Sequence, residues 1–91
     1  GLVRSEASHS AGAAFSVAAN FVEGYAREHP KERLHFLNIS WGSLAEVGYC
    51  LHVAQRLGYI NDALYNQFDL AVRQVGAPLS GLIRKARQTC S

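Results

Sequence analysis

Apolar residues recur at alternating steps of three and four through most of the chain, and no run keeps the step of two expected of a half-buried strand. The densest stretch is 33–57, RLHFLNISWGSLAEVGYCLHVAQRL. Leu34, Leu37, Trp41, Leu44, Gly48 and Leu51 form one stripe. Phe36, Ser40, Ser43, Val47, Cys50, Ala54 and Leu57 repeat that spacing on a second face, and Ile39, Tyr49 and Val53 take much of what remains. Glu46 is the single fully charged residue between Arg33 and Arg56. A surface helix of a small monomer keeps a polar face. This one predicts cover on nearly every side, and therefore partners.

Helix-breaking residues divide the chain. A first helix is expected over about 5–28, frayed or broken near Gly12, with Ala14, Val17, Phe21, Gly24 and Tyr25 on its stripe. Pro30 ends it, because the residue before a proline is driven out of the α region, and itself suits the first turn of the next helix. That second helix spans about 30–57, closed by Gly58. The connection 58–61 is short, so neighbouring helices should be antiparallel, with Asn61 or Asp62 capping a third helix over about 62–88. Leu64, Phe68, Ala71, Val75, Leu79, Leu82 and Ala86 form its expected buried stripe, and Gly76-Ala77-Pro78 predicts a kink. The fold class is all-α: an antiparallel up-and-down helical bundle with three long helices visible.

Composition strengthens the case for partners. Ninety-one residues make one domain, with a core that would be marginal alone. The chain is 48% hydrophobic and 18% charged, more apolar than usual for its class. Its net charge of +2 does not by itself imply nucleic acid. With Gly1 first and no methionine, a preceding segment is expected; residues 1–10 do not read as a signal peptide. In a hairpin turning at 58–61, Cys50 lies about 12 Å and Cys90 about 43 Å from the turn, at about 1.5 Å per residue. A disulfide needs Cα atoms within about 7 Å, so both thiols should be free, as in a reducing cytoplasm. Residues 34–55 are long enough to span a bilayer, yet His35, Asn38, Glu46 and His52 make that costly.

Three ordered segments carry a resemblance. Asn20-Phe21-Val22-Glu23-Gly24-Tyr25-Ala26-Arg27 follows the pattern N-x-x-E-G-[YF]-x-R. Phe36-Leu37, Gly42-Ser43-Leu44-Ala45-Glu46 and Leu57-Gly58-Tyr59-Ile60 follow a second, and Leu79-Ser80-Gly81-Leu82-Ile83-Arg84 a third. Over residues of about 13–87 the chain resembles the bacterial four-helix-bundle family named for proteins encoded in intervening sequences of 23S ribosomal RNA genes. The resemblance implies an up-and-down bundle assembled as a homopentamer. Related accessory proteins of diversity-generating retroelements bind a reverse transcriptase and nucleic acid. The family has a further, aromatic-rich N-terminal helix for which the residues before this segment leave little or no room, so either three helices or a short, irregular first one is expected; Ala18 also stands where proline is frequent.

Candidate chemistry is sparse. Asn20, Glu23 and Arg27 share a helical face, and Ser43 with Glu46 forms a polar pair on the next helix. Without a nucleophile or histidine in phase, the four residues Asn20, Glu23, Ser43 and Glu46 read as a structural polar seam rather than an acid/base or metal pair. Glu32-x-x-His35 has the spacing of half a di-iron site, but the second Glu–His pair is missing. Cys50 and His52 point about 200° apart on a helix and cannot share a metal. No phosphate loop or nucleophile turn is present, so the expectation is no enzyme, no cofactor and no metal. Trp41, Tyr25, Tyr49, Tyr59 and Tyr65 could stack on bases, but core and interface explain them more simply.

The basic residues say more. In the antiparallel arrangement one pole gathers Arg27, Lys31, Arg33, Arg84, Lys85 and Arg87, six of the nine basic residues, against Glu28 and Glu32. Repeated around an oligomer, such a pole is an electrostatic footprint for RNA or DNA. The expected function is a non-enzymatic, homo-oligomeric nucleic-acid-binding bundle. The alternative is a protein-interaction scaffold or accessory subunit whose charge serves solubility only.

Overall fold

The computed structural model describes the backbone of residues 2–90 and the side chains from Gly12 to Cys90. Three helices make up the described fold: α1 (Leu2–Ala26), α2 (Pro30–Arg56) and α3 (Asp62–Cys90). No strand occurs among the described residues. α1 runs unbroken past Gly12 and stops two residues short of its expected end, while α3 continues through Pro78.

The helix ends follow from local chemistry. Pro30 occupies the first turn of α2, and the extended His29 caps it by accepting from the Lys31 N–H through Nδ1 at 3.2 Å. At the other end Gly58 takes φ +81°. Its N–H donates to the Gln55 carbonyl at 3.0 Å and that of Tyr59 to the Ala54 carbonyl at 2.9 Å. This pair of bonds is a Schellman motif, which needs a left-handed residue at that position. Asn61 then caps α3, its Oδ1 accepting from the Leu64 N–H at 2.8 Å.

α2 is the central element. One face packs on α1: Ser40 is fully buried, and its hydroxyl donates to the Val17 carbonyl at 2.9 Å. Ser43 Oγ lies 2.9 Å from Ser16 Oγ one turn further on. Gly24 abuts Phe36, Arg33 and Leu37, so the order of contacts along α1 is the reverse of that along α2. The other face packs on α3, where Leu37, Leu44, Leu79, Ile83 and Ala86 form the core and Gly76 meets Leu44 and Trp41. Small residues at Gly24, Ser40 and Gly76 set the close approach on both sides.

Two expected stripes are corrected. On α3 the face against α2 is Val72, Gly76, Leu79, Ile83 and Ala86: Leu79 and Ala86 of the expected stripe are buried there, whereas Leu64, Phe68, Ala71, Val75 and Leu82 are exposed. Among the described side chains of α1 the buried positions are Ala13 and Gly24, whereas Ala14, Phe21 and Tyr25 are exposed. Part of each displaced line borders an open groove, Ala14 on α1 and Phe68, Ala71 and Val75 on α3: among the described residues the backbones of α1 and α3 stay apart, and each packs against α2. The groove is floored by Leu44, Val47 and Leu51, walled by Val17 and by Phe68, Val72 and Val75, and encloses about 450 Å³.

The shape follows from this arrangement. The chain measures 45 × 23 × 16 Å with a radius of gyration of 14.7 Å, against about 12 Å for a compact domain of its length. Its accessible surface is 6271 Å², where about 5,200 Å² is usual for its mass. The excess includes large apolar side chains: Tyr25 is 75% exposed and Tyr49 67%. Cys50 is buried, Cys90 half-buried, and neither is bridged. No described helix is long and apolar enough to cross a membrane.

Candidate nucleic-acid interface

The end of α1, the start of α2 and the end of α3 come together, and the six basic residues there divide into distinct settings. Arg27 Nη2 donates to Glu23 Oε2 at 2.9 Å across one helical turn, and its guanidinium lies 5.3 Å from the Phe36 ring centre. Both partners of that ion pair are substantially exposed, so the pair adds little stability. Arg33 Nη2 donates to the Arg27 carbonyl at 2.8 Å, satisfying an acceptor left open where α1 ends. Lys31 is exposed in the first turn of α2.

On α3, Arg84 and Lys85 are adjacent in sequence and therefore about 100° apart around the helix. Lys85 joins Arg33 at a cleft of about 280 Å³ lined also by Phe21, Tyr25, Glu28 and Leu82. The Phe21 and Tyr25 rings stack there with centroids 6.3 Å apart. Arg84 and Arg87, one turn apart, instead border a cleft of about 240 Å³ with Asn38, Trp41, Ser80 and Ile83. The single basic pole expected from the sequence is thus two basic clefts on either side of α3, with Arg27 and Lys31 outside both.

Sequence reasoning did not connect Trp41 and Asn38 with Arg84 and Arg87. The signal was available: reflecting α2 onto α3 about the 58–61 connection sets Trp41 opposite Pro78 and Asn38 opposite Gly81, within a turn of Arg84.

The polar seam is real but differently composed. Asn20 Nδ2 donates to the Ser16 carbonyl at 2.9 Å and lies 3.0 Å from Ser16 Oγ, which also meets Ser43. Ser16, Asn20, Ser43 and Ser40 form the interhelical polar line. Glu23 and Glu46, expected in the same seam, are exposed, and Glu23 pairs with Arg27. Hydroxyls and an amide satisfy one another at small desolvation cost, whereas an ionised carboxylate there would need a charged partner.

Glu32 and His35 are both exposed, and no group of three or more His, Cys, Asp or Glu is close enough to hold a metal among the described residues. His9 lies outside the described side chains.

The sequence profile of the 23S rRNA-intervening sequence protein family matches residues 6–81, most of the chain. No curated protein matches the chain. No solved structure matches it either.

Proposed function

The chain belongs to the 23S rRNA-intervening sequence protein family, and from that premise we propose that it is a non-enzymatic, antiparallel helical bundle that binds RNA or DNA as a homo-oligomer. One observation carries the reading. Arg33, Arg84, Lys85 and Arg87 line clefts at the same end of the molecule, beside exposed Arg27 and Lys31. Nucleic acid is held chiefly by such phosphate-facing cations, with affinity that falls steeply as salt rises. The test is fluorescence anisotropy with mixed-sequence RNA and DNA in low salt. Binding should weaken with added salt, and reversing Arg84, Lys85 and Arg87 to Glu should lower both the affinity and the salt slope. Undetectable binding, or binding indifferent to salt, refutes the proposal.

Homo-oligomerisation, as the pentamer of the family resemblance, is supported by the surface excess and by the uncovered groove on α2. Solution mass by light scattering checks it. The absence of a disulfide at Cys50 and Cys90 accords with a cytoplasmic setting.

The same groove supports a second reading, a scaffold or accessory subunit for a protein such as a reverse transcriptase. Its lining through Val17, Leu44, Val47, Phe68 and Val75 suits an amphipathic helix. A partner retained equally well by the triple charge reversal would favour this reading over nucleic-acid contact.

A further inference from the structure

Trp41 is the chain's only tryptophan, and it is 43% exposed although it sits on the central helix. Its ring borders the basic cleft formed with Asn38, Ser80, Arg84 and Arg87. On its other side lies an apolar hollow where Gly76 approaches, its would-be Cβ position 3.8 Å from Trp41 Cζ3. The indole is thus supported along one edge while much of its surface remains open. Beside it the cleft supplies an amide that can both donate and accept, a hydroxyl, and two guanidinium groups.

We infer that this cleft is a nucleotide subsite for single-stranded nucleic acid. An unpaired base stacks on Trp41, Asn38 and Ser80 meet its polar edge, and Arg84 and Arg87 hold the flanking phosphates. A duplex keeps the faces of its bases inside the stack and cannot use the indole, so the arrangement selects unpaired strands. The Phe21–Tyr25 cleft is less suited. Glu28 lies on its lining and places a carboxylate where a phosphate would approach. The inference rests on the nucleic-acid reading above and adds strand type and residue roles to it.

The single tryptophan makes the test site-specific. The intact chain is titrated in low salt with oligouridylate, and separately with the same strand annealed to its complement, while Trp41 emission and oligonucleotide anisotropy are read together. Saturable quenching by the single strand is expected, with about tenfold tighter binding than to the duplex. Trp41→Leu should remove that preference, whereas Trp41→Phe, which keeps a ring, should retain most of it. Arg84→Gln should lower the salt slope by about one without abolishing quenching. Circular dichroism checks that each variant keeps its helices.

Absence of binding by either form overturns both this inference and the proposed function. Equal affinity for strand and duplex, with Trp41 emission unchanged, overturns the inference alone. Emission that shifts with protein concentration and ignores the strand assigns Trp41 to a contact between copies, and also overturns it.

Discussion

Gly24 offers the sharpest test of the packing between α1 and α2. A Cβ built there would lie 3.1 Å from Phe36 Cβ, 3.3 Å from the Arg33 carbonyl oxygen and 3.6 Å from the Leu37 nitrogen. Ordinary carbon contacts are about 3.5–4.0 Å. None of these neighbours is the tip of a flexible side chain, so relief requires α1 to move off α2 by a few tenths of an ångström. That movement loosens the Ser40–Val17 and Ser43–Ser16 contacts, both 2.9 Å, further along the same seam. Overpacking of this kind costs about 1–3 kcal/mol. Alanine recovers at most about 1 kcal/mol of helix propensity over glycine, and less near the end of α1. Gly24→Ala should therefore destabilise the protein by about 1–2 kcal/mol, a fall in Tm of several degrees for a domain of this size.

Gly76→Ala is the matched comparison. Its Cβ would meet Leu44 Cδ2 at 3.3 Å, a methyl that can rotate away, and Trp41 Cζ3 at an ordinary 3.8 Å. There the propensity gain offsets the crowding, and the variant should fall within about 0.5 kcal/mol of the parent. Urea denaturation followed by circular dichroism, at one protein concentration, gives both numbers. A Gly24→Ala protein as stable as its parent, or a less stable Gly76→Ala protein, would refute the reasoning.

Other consequences are checked more briefly. Ser40→Ala removes a buried hydrogen bond to a helix carbonyl and should cost about 1 kcal/mol by thermal melting. Gly58→Val forces a β-branched residue to φ +81° in the Schellman turn and should cost about 1–2 kcal/mol in the same assay. Asn61→Ala loses the cap on α3 and should cost about 1 kcal/mol in urea denaturation, with m unchanged. Under native conditions an alkylating reagent followed by mass spectrometry should label Cys90 well before Cys50, and denaturant should erase the difference.

Much of the fold was legible because punctuation is local. Pro30, Gly58 and Asn61 each act through a few neighbouring bonds, so their roles can be read without tertiary knowledge. The two stripes on α2 were equally legible, since both carry apolar or small residues in phase. The phase of α3 was legible only in part, at Leu79 and Ala86. Leu64, Phe68, Val75 and Leu82 are more hydrophobic than Tyr65, Asp69, Gly76 and Ile83 taken together, and a hydrophobic count chooses the wrong line. Gly76 is buried for its small size, which lets Leu44 and Trp41 come close, and hydrophobicity does not register that. Glu46 misled for the opposite reason. A lone charge amid apolar residues suggested a seam partner, yet its side chain is exposed. Of the candidate interface, the six basic residues were visible as a set. Their division into two clefts depends on the rotation of α3, which the mistaken phase concealed.

Among the described residues the backbones of α1 and α3 stay apart, which bears on how the chain folds and opens. Each outer helix packs its backbone against α2, and α1 and α3 share the borders of open clefts. Its closures are between sequence neighbours, a topology that favours rapid assembly. The hairpin of α2 and α3 carries the buried leucine core and both ends of the Schellman–Asn61 turn. The seam with α1 is the closer at the backbone but is built mainly of small and polar residues, serines, Asn20, Gly24 and Ala13, with Val17 reaching the core. Hydrogen exchange should accordingly find two tiers of amide protection, α1 opening first while α2 and α3 remain paired. In a population sense the molecule is then a stable hairpin with a detachable third arm, and whatever covers the groove would fasten that arm by touching both sides at once.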